Sequence, residues 1–126
     1  MITELWSSVI RNRARTRADH PDPYLRGRVY PVPFPKVWGA VGAEASTRSG
    51  WSITGTDPRA GTLRAEVRTR KLKHTHDVRV EMSLDENGFT RVDVESSSRK
   101  GFADLGANAR RIRRFLEALD ARLLED

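Results

Sequence analysis

Residues 75–98 read Thr75-His76-Asp77-Val78-Arg79-Val80-Glu81-Met82-Ser83-Leu84, then Asp85-Glu86-Asn87-Gly88, then Phe89-Thr90-Arg91-Val92-Asp93-Val94-Glu95-Ser96-Ser97-Ser98. Val78, Val80, Met82 and Leu84 alternate with Asp77, Arg79, Glu81 and Ser83; Val92, Val94 and Ser96 alternate with Arg91, Asp93 and Glu95. A strand turns successive side chains to opposite faces, so each run has one apolar and one charged face. Asn87-Gly88 between them is a strong hairpin signal, because both residues accept the positive φ of a tight turn. Just upstream, Leu63, Ala65 and Val67 alternate with Arg64, Glu66 and Arg68. Three such strands in succession imply an antiparallel sheet with one dry face and one wet face. The wet face mixes both charge signs, as cross-strand ion pairs require, and reads as a solvated salt lattice.

Working outward, Leu105, Ala109, Ile112, Phe115, Leu116, Leu119 and Leu123 make one helical stripe, with Arg110, Arg113, Arg114 and Glu117 mostly outside it. Asp104 is the expected N-cap of this closing helix, with Gly101 in the turn before it. Upstream, Trp51-Ser52-Ile53 starts another strand, ended by the turn Asp57-Pro58-Arg59-Ala60-Gly61. Phe34-Pro35 opens a helix with Val37, Val41 and Ala45 facing inward and Trp38 beside them. Gly50 stands where the chain must turn left-handed after that helix. Arg28–Val32 reads as a short edge strand, since Pro31 cannot serve a ladder on both sides. The expected fold class is α+β: a curved antiparallel sheet of about five strands, in the order β-α-β-β-β-β-α, packed on a long C-terminal helix.

At the start of the chain, Ile2, Leu5, Trp6, Val9 and Ile10 fall on one helical stripe. Arg11, Arg13, Arg15 and Arg17 follow, and then the breaker segment Asp19-His20-Pro21-Asp22-Pro23. The sequence therefore divides into a basic amphipathic helix over residues 1–18, a linker over 19–27 and one α+β domain over 28–126. The apolar stripe needs cover: its own domain, an anionic membrane surface gripped by the arginines, a groove on a partner protein, or a second copy of the chain.

The 126 residues carry 23 Lys plus Arg against 17 Asp plus Glu, a net charge of +6. Only Lys36, Lys71, Lys73 and Lys100 are lysines, and an arginine bias suits anionic partners or simply follows base composition. The absence of cysteine excludes a disulfide scaffold, a zinc ribbon and a thiol nucleophile. No apolar run approaches the roughly 20 residues of a membrane span, and no secretory signal pattern is present, so a cytoplasmic protein is expected, with the membrane face as one place for it. Arg68, Arg70, Lys71 and Lys73, with Arg110, Arg111, Arg113 and Arg114, resemble a phosphate-tracking surface. No aromatics interleave with them as stacking platforms do, so nucleic acid is not an expected partner.

Ser96, Ser98, Arg99, Asp104, Asn108 and Arg111 crowd one strand-turn-helix corner. One reading is an anion site built from the helix start, the hydroxyls and Arg99. The other is structural: Asp104 caps the helix and pairs Arg99, while Asn108 satisfies a neighbouring strand. No histidine adjoins the serines in sequence, so catalysis is not expected. His74-x-His76-Asp77 has metal-ligand types but no third ligand nearby; it reads as an exposed strand end, and neither metal nor other cofactor is expected. If the chain carries a small apolar ligand, Trp38, Trp51, Val67, Val80, Met82, Ile112 and Phe115 are the residues placed to line a cavity between sheet and closing helix.

Residues 92–113, Val92-Asp93-Val94-Glu95-Ser96-Ser97-Ser98-Arg99-Lys100-Gly101-Phe102-Ala103-Asp104-Leu105-Gly106-Ala107-Asn108-Ala109-Arg110-Arg111-Ile112-Arg113, resemble the signature of the DUF1499 family, a domain of unknown function. Gly50-Trp51, Asp57-Pro58, Gly61, Thr69 and Asp77-Val78-x-Val80 are also similar, so the resemblance covers residues 28–122. Two positions depart from it: Glu95 where arginine is usual, and His76-Asp77 where an acidic pair is usual. The strand, the Pro35-Lys36-Val37-Trp38 helix and the Gly50-Trp51 strand resemble the start of START and Bet v 1 helix-grip domains, which implies a sheet wrapped round the last helix. The resemblance implies no reaction. The expected role is a non-catalytic accessory or adaptor subunit, attached to a protein complex or membrane through its first helix; the alternative is a small apolar-ligand carrier. Oligomeric state is not legible from the sequence.

Overall fold

In chain order the elements are β1 (Arg13–Arg15), a 3-10 turn (Pro23–Leu25), β2 (Arg28–Tyr30), α1 (Phe34–Thr47), β3 (Trp51–Asp57), β4 (Thr62–Arg68), β5 (Thr75–Leu84), β6 (Thr90–Ser98) and α2 (Ala107–Leu123). The computed structural model describes residues 13–69, 74–99 and 106–124. The sheet runs β1-β6-β5-β4-β3, with β2 also paired to β6, and each pairing is antiparallel. From β2 onward the order is the expected β-α-β-β-β-β-α.

Alternation decides which side of the sheet is covered. Leu63, Ala65, Val67, Val78, Val80, Met82, Val92 and Val94 are all buried, and Arg64, Asp77, Arg79, Glu81 and Asp93 point the other way. Helix α2 lays Ile112, Phe115, Leu116, Leu119 and Leu123 on that dry face, and α1 adds Val37, Val41 and Ala45. Leu84 departs from the reading: it ends β5 beside the hairpin and is 60% exposed. The hairpin itself follows the sequence: Gly88 has φ +78, and Asp85 Oδ1 accepts from the Asn87 and Phe89 N–H groups.

Two carboxylates tie α2 to its neighbours. Asp120 accepts from Arg28 Nε at 3.1 Å and from Tyr30 Oη at 2.7 Å. Burial and then Asp120 push the tyrosine hydroxyl's pKa well up, so it stays a donor. Glu44 on α1 accepts from Arg48 at 2.9 Å and from Arg122 on α2 at 2.8 Å. Burial alone would raise the Glu44 pKa; the bonds from Arg122 and Arg48 outweigh it, and the net shift is downward.

The segment read as the end of a helix and a linker is corrected. Arg13–Arg15 is a strand, in register with Ser97, Ser96 and Glu95 of β6. Thr16 extends the attachment, donating its N–H to Val94 O and its hydroxyl to Asp93 at 2.7 Å. Residues 19–27 fold against the sheet edge, with His20 and Leu25 buried and Arg26 Nε bonded to His20 O. The physical reason is that the outer edge of β6, paired by β2 only over Thr90–Val92, otherwise stays open beyond it. The arginines at 13, 15 and 17 alternate with period 2, which is strand spacing. The apolar residues Ile2, Leu5, Trp6, Val9 and Ile10 lie outside the described residues.

Gly50 has φ +82, and a Cβ placed there would stand 2.5 Å from Arg68 O. Gly50→Ala is expected to destabilise the domain by about 2 kcal/mol, from left-handed strain plus displacement of β4, as urea denaturation would measure. His20 supplies a pH dependence. Its Nδ1 accepts the Asp22 N–H at 3.0 Å, and burial followed by Arg17 lowers its pKa below the ordinary 6.5. The unfolded chain therefore takes up a proton first. The His20 contribution is complete above about pH 6.5 and is lost as pH falls toward the folded-state value. His20→Asn, which keeps an acceptor, is expected to flatten that part of the stability profile between about pH 7 and pH 5.

Candidate functional site

Strands β5 and β6 and the first turn of α2 meet in a buried polar network. Ser96 Oγ donates to Asn108 Oδ1 at 2.6 Å, and Asn108 Nδ2 donates to Ser98 Oγ at 3.1 Å. His76 Nδ1 lies 2.8 Å from Ser98 Oγ. Arg111 Nη1 donates to Asn108 Oδ1 at 2.7 Å and to Ser96 Oγ at 3.1 Å. Ser96 and Asn108 are fully buried; His76 and Ser98 are 4% and 7% exposed. An asparagine inside a helix and two inward serines on a strand satisfy one another where an apolar stripe would leave them stranded.

Four of the six residues expected at this corner thus come together: Ser96, Ser98, Asn108 and Arg111. Arg99 does not join them. It follows Ser98 on the opposite face and pairs there with Asp77 and Glu66, each at 2.9 Å. Those bonds, Asp77 first, hold its pKa above the ordinary value. Asp104 lies outside the described residues; the N-cap of α2 is Gly106, left-handed at φ +84 and making no side-chain cap bond. Of the two readings of this corner, the anion site built on Arg99 is not formed: Ser96, Ser98, Asn108 and Arg111 make an internal knot and Arg99 is turned away.

His76 corrects a second expectation. It is not an exposed strand end but a buried residue in phase with Val78 and Val80 on the dry face. The signal was in the sequence, since position 76 shares the alternation of 78 and 80. Its pairing with Ser98 brings together the residue types of a nucleophile and a base. Both are almost wholly buried. Among the described residues, no group of three or more His, Asp or Glu converges as a metal site. The sequence also gave no warning of Thr16, whose hydroxyl accepts the Val94 N–H at 2.9 Å while donating to Asp93.

The residues named for a cavity are close-packed neighbours. Val67, Val80, Met82, Ile112 and Phe115 belong to the buried core, with Trp38 and Trp51 packed against it. Trp51 stacks on Phe115, ring centres 5.2 Å apart, and Trp38 stacks on Phe34 at 6.2 Å. Two of the clefts lined by described residues bear on the site. One, of about 420 Å³, lies on the outer face of the sheet, where Arg15, Arg17, Arg79 and Arg91 mix with Glu81, Asp93 and Glu95. The ion pairs Arg13–Glu95, Arg79–Glu81 and Arg91–Asp93 make that face the salt lattice expected of it. The other, of about 280 Å³, lies at the Trp51 end of the sheet, and Arg111 reaches it from the buried network.

An antiparallel sheet closed by a long C-terminal helix is a helix-grip fold. The crystal structure of Ara h 8.0201 is similar, with TM-score 0.62 and 10% identity, covering 92% of this chain and 99% of that one. The crystal structure of protein CV1439 from Chromobacterium violaceum is also similar, with TM-score 0.52 and 14% identity, covering 91% and 99%. At these identities the likeness is one of fold. The family described as protein of unknown function DUF1499 matches residues 7–119, and the chain belongs to it. Comparison with curated proteins finds no match.

Asn108→Ala removes the centre of the network and strands Ser96, Ser98 and Arg111. The expected loss is about 3 kcal/mol by urea denaturation. Asn108→Asp, which keeps the acceptor for Arg111 and Ser96, is expected to lose less.

Proposed function

We propose that this chain is a non-catalytic interaction module, attached through its leading segment to the anionic cytoplasmic face of a membrane. The observation that carries the reading is the fusion of β1 to β6. Arg13 and Arg15 are held in the sheet edge with their side chains on its outer face, and this fixed basic strand follows the apolar run Ile2 to Ile10 within a few residues of sequence. Tryptophan and aliphatic residues on one helical stripe, followed at once by arginines, suit the boundary between lipid headgroups and acyl chains. The net charge of +6 favours an anionic surface over a neutral one. No helix among the described residues is long and apolar enough to cross a membrane.

The polar network supports the non-catalytic part of the reading, because its hydroxyls, imidazole and amide bond one another behind α2. The alternative, a carrier of a small apolar ligand, needs open space where Val67, Val80, Met82, Ile112 and Phe115 pack together. A protein partner is the competing occupant for the leading segment.

The test is the full chain against the double substitution Leu5→Asp plus Val9→Asp, sedimented with vesicles of mixed phosphatidylglycerol and phosphatidylcholine. Burial of each side chain contributes roughly 1.5–3 kcal/mol, so partitioning is expected to fall at least tenfold while thermal unfolding stays unchanged. If the double variant fails to fold, the stripe belongs to the domain's own core and the reading is wrong. If the unaltered chain ignores anionic vesicles, or binds neutral ones equally, lipid attachment is wrong, and native mass spectrometry of a co-purified complex would then favour the protein partner.

A further inference from the structure

We propose that the cleft at the Trp51 end of the sheet is a binding site for a small phosphate-bearing molecule. Three parts of the chain build it. Arg48 comes from the C-cap of α1, Trp51 and Thr69 from the ends of β3 and β4, and Arg110, Arg111 and Arg114 from the first half of α2. The outer-face cleft balances its arginines with three carboxylates; among the described residues lining this one there are none.

Three of the lining side chains, Arg48, Trp51 and Arg111, are held by other groups of the chain. Arg48 bonds Glu44 at 2.9 Å and lies over the Trp51 ring at 5.5 Å. Trp51 is in turn stacked on the buried Phe115. Arg111 is oriented by Ser96 and Asn108, so the buried network aims a guanidinium at the cleft. A guanidinium has five N–H donors, and the bond to Glu44 leaves Arg48 donors for a ligand. Arg114 is exposed and has no carboxylate partner among the described residues. The Thr69 hydroxyl is buried at the cleft without a hydrogen-bond partner.

The electrostatics favour an anion with several oxygens. Among the described residues the first turn of α2 carries no acidic side chain, and Ala107 of that turn lines the cleft at the positive end of the helix. Arginines converging from two helices match the three terminal oxygens of a phosphate better than the two of a carboxylate. A volume of about 280 Å³ sits at the lower end of small-molecule sites, which favours a phosphate monoester or inorganic phosphate over a polymer. A lipid phosphate presents the same group, and the experiment separates the two sources.

The experiment is titration calorimetry of the full chain with inorganic phosphate and with phenyl phosphate at about 0.15 M salt, where exposed long-range charge is screened. Sedimentation with phosphatidic acid vesicles runs in parallel. Arg114→Gln is expected to weaken binding roughly tenfold without altering thermal unfolding, because it removes one charge-assisted donor from an exposed position. Arg59→Gln, an exposed arginine in the β3–β4 turn, is the charge-matched control and is expected to change nothing. Binding of soluble phosphate that depends on Arg114 supports the site with a soluble ligand. Arg114-dependent binding to phosphatidic acid alone supports it with a lipid headgroup. Equal losses in both variants mean non-specific charge, and no binding by either probe means no site; each overturns the proposal. Leu5→Asp plus Val9→Asp is expected to bind soluble phosphate as the unaltered chain does, so this inference and the attachment reading fail separately.

Discussion

Laying a helix across the concave face of a sheet demands that the two surfaces exclude water along their whole length, and here one polar residue must be accommodated in the middle of that requirement. Asn108 enters the contact fully buried, one turn above Ile112 on α2. Its amide meets the two serines that β6 turns inward, and Arg111 closes the group from the cleft side. Apolar contact between α2 and the sheet supplies the drive for burial, but it tolerates sliding and rotation. The amide network does not, because a shifted helix leaves several polar groups without water or partners. Where the helix can lie is thus fixed at its start by Asn108 and nearer its end by Asp120, bonded to Arg28 and Tyr30.

The arginines divide according to that placement. Arg13, Arg79, Arg91 and Arg99 pair with carboxylates on the outer face, where exposed ion pairs contribute little stability but keep the face wet. Arg28, Arg48 and Arg122 belong to the carboxylate clamps between elements. Arg111 lies between structure and surface: one edge is held by the buried knot while the residue lines a cleft. A fold that needs its guanidiniums for cohesion can in this way also present one in a set orientation.

Much of this was legible in the sequence because alternation is a local property. The dry residues of β4, β5 and β6, the stripe of α2 and the Asn87-Gly88 hairpin were all readable from period and turn chemistry. The same rule, applied consistently, also places His76 beside Val78 and makes a strand of the arginines at 13 and 15. Those two readings went astray because a helical stripe nearby suggested a longer helix, and because polar residues at a strand end were taken as exposed. Arg99 shows a different limit. It sits next to Ser98 in sequence, yet one step along a strand reverses the direction of a side chain.

The sequence by itself determined the class of fold, the family and which face of each strand is apolar, since these follow from composition, motif and short-range periodicity. Only the tertiary structure decided that Ser96, Ser98, His76, Asn108 and Arg111 form one network, that residues 13–27 complete the sheet edge, and that arginines from two helices share a cleft. Those outcomes join residues as near as Asn108 and Arg111 and as far apart as Arg13 and Ser97. Distances of that kind are set by the register between strands and by how the last helix seats on them, and no local pattern in the chain encodes either.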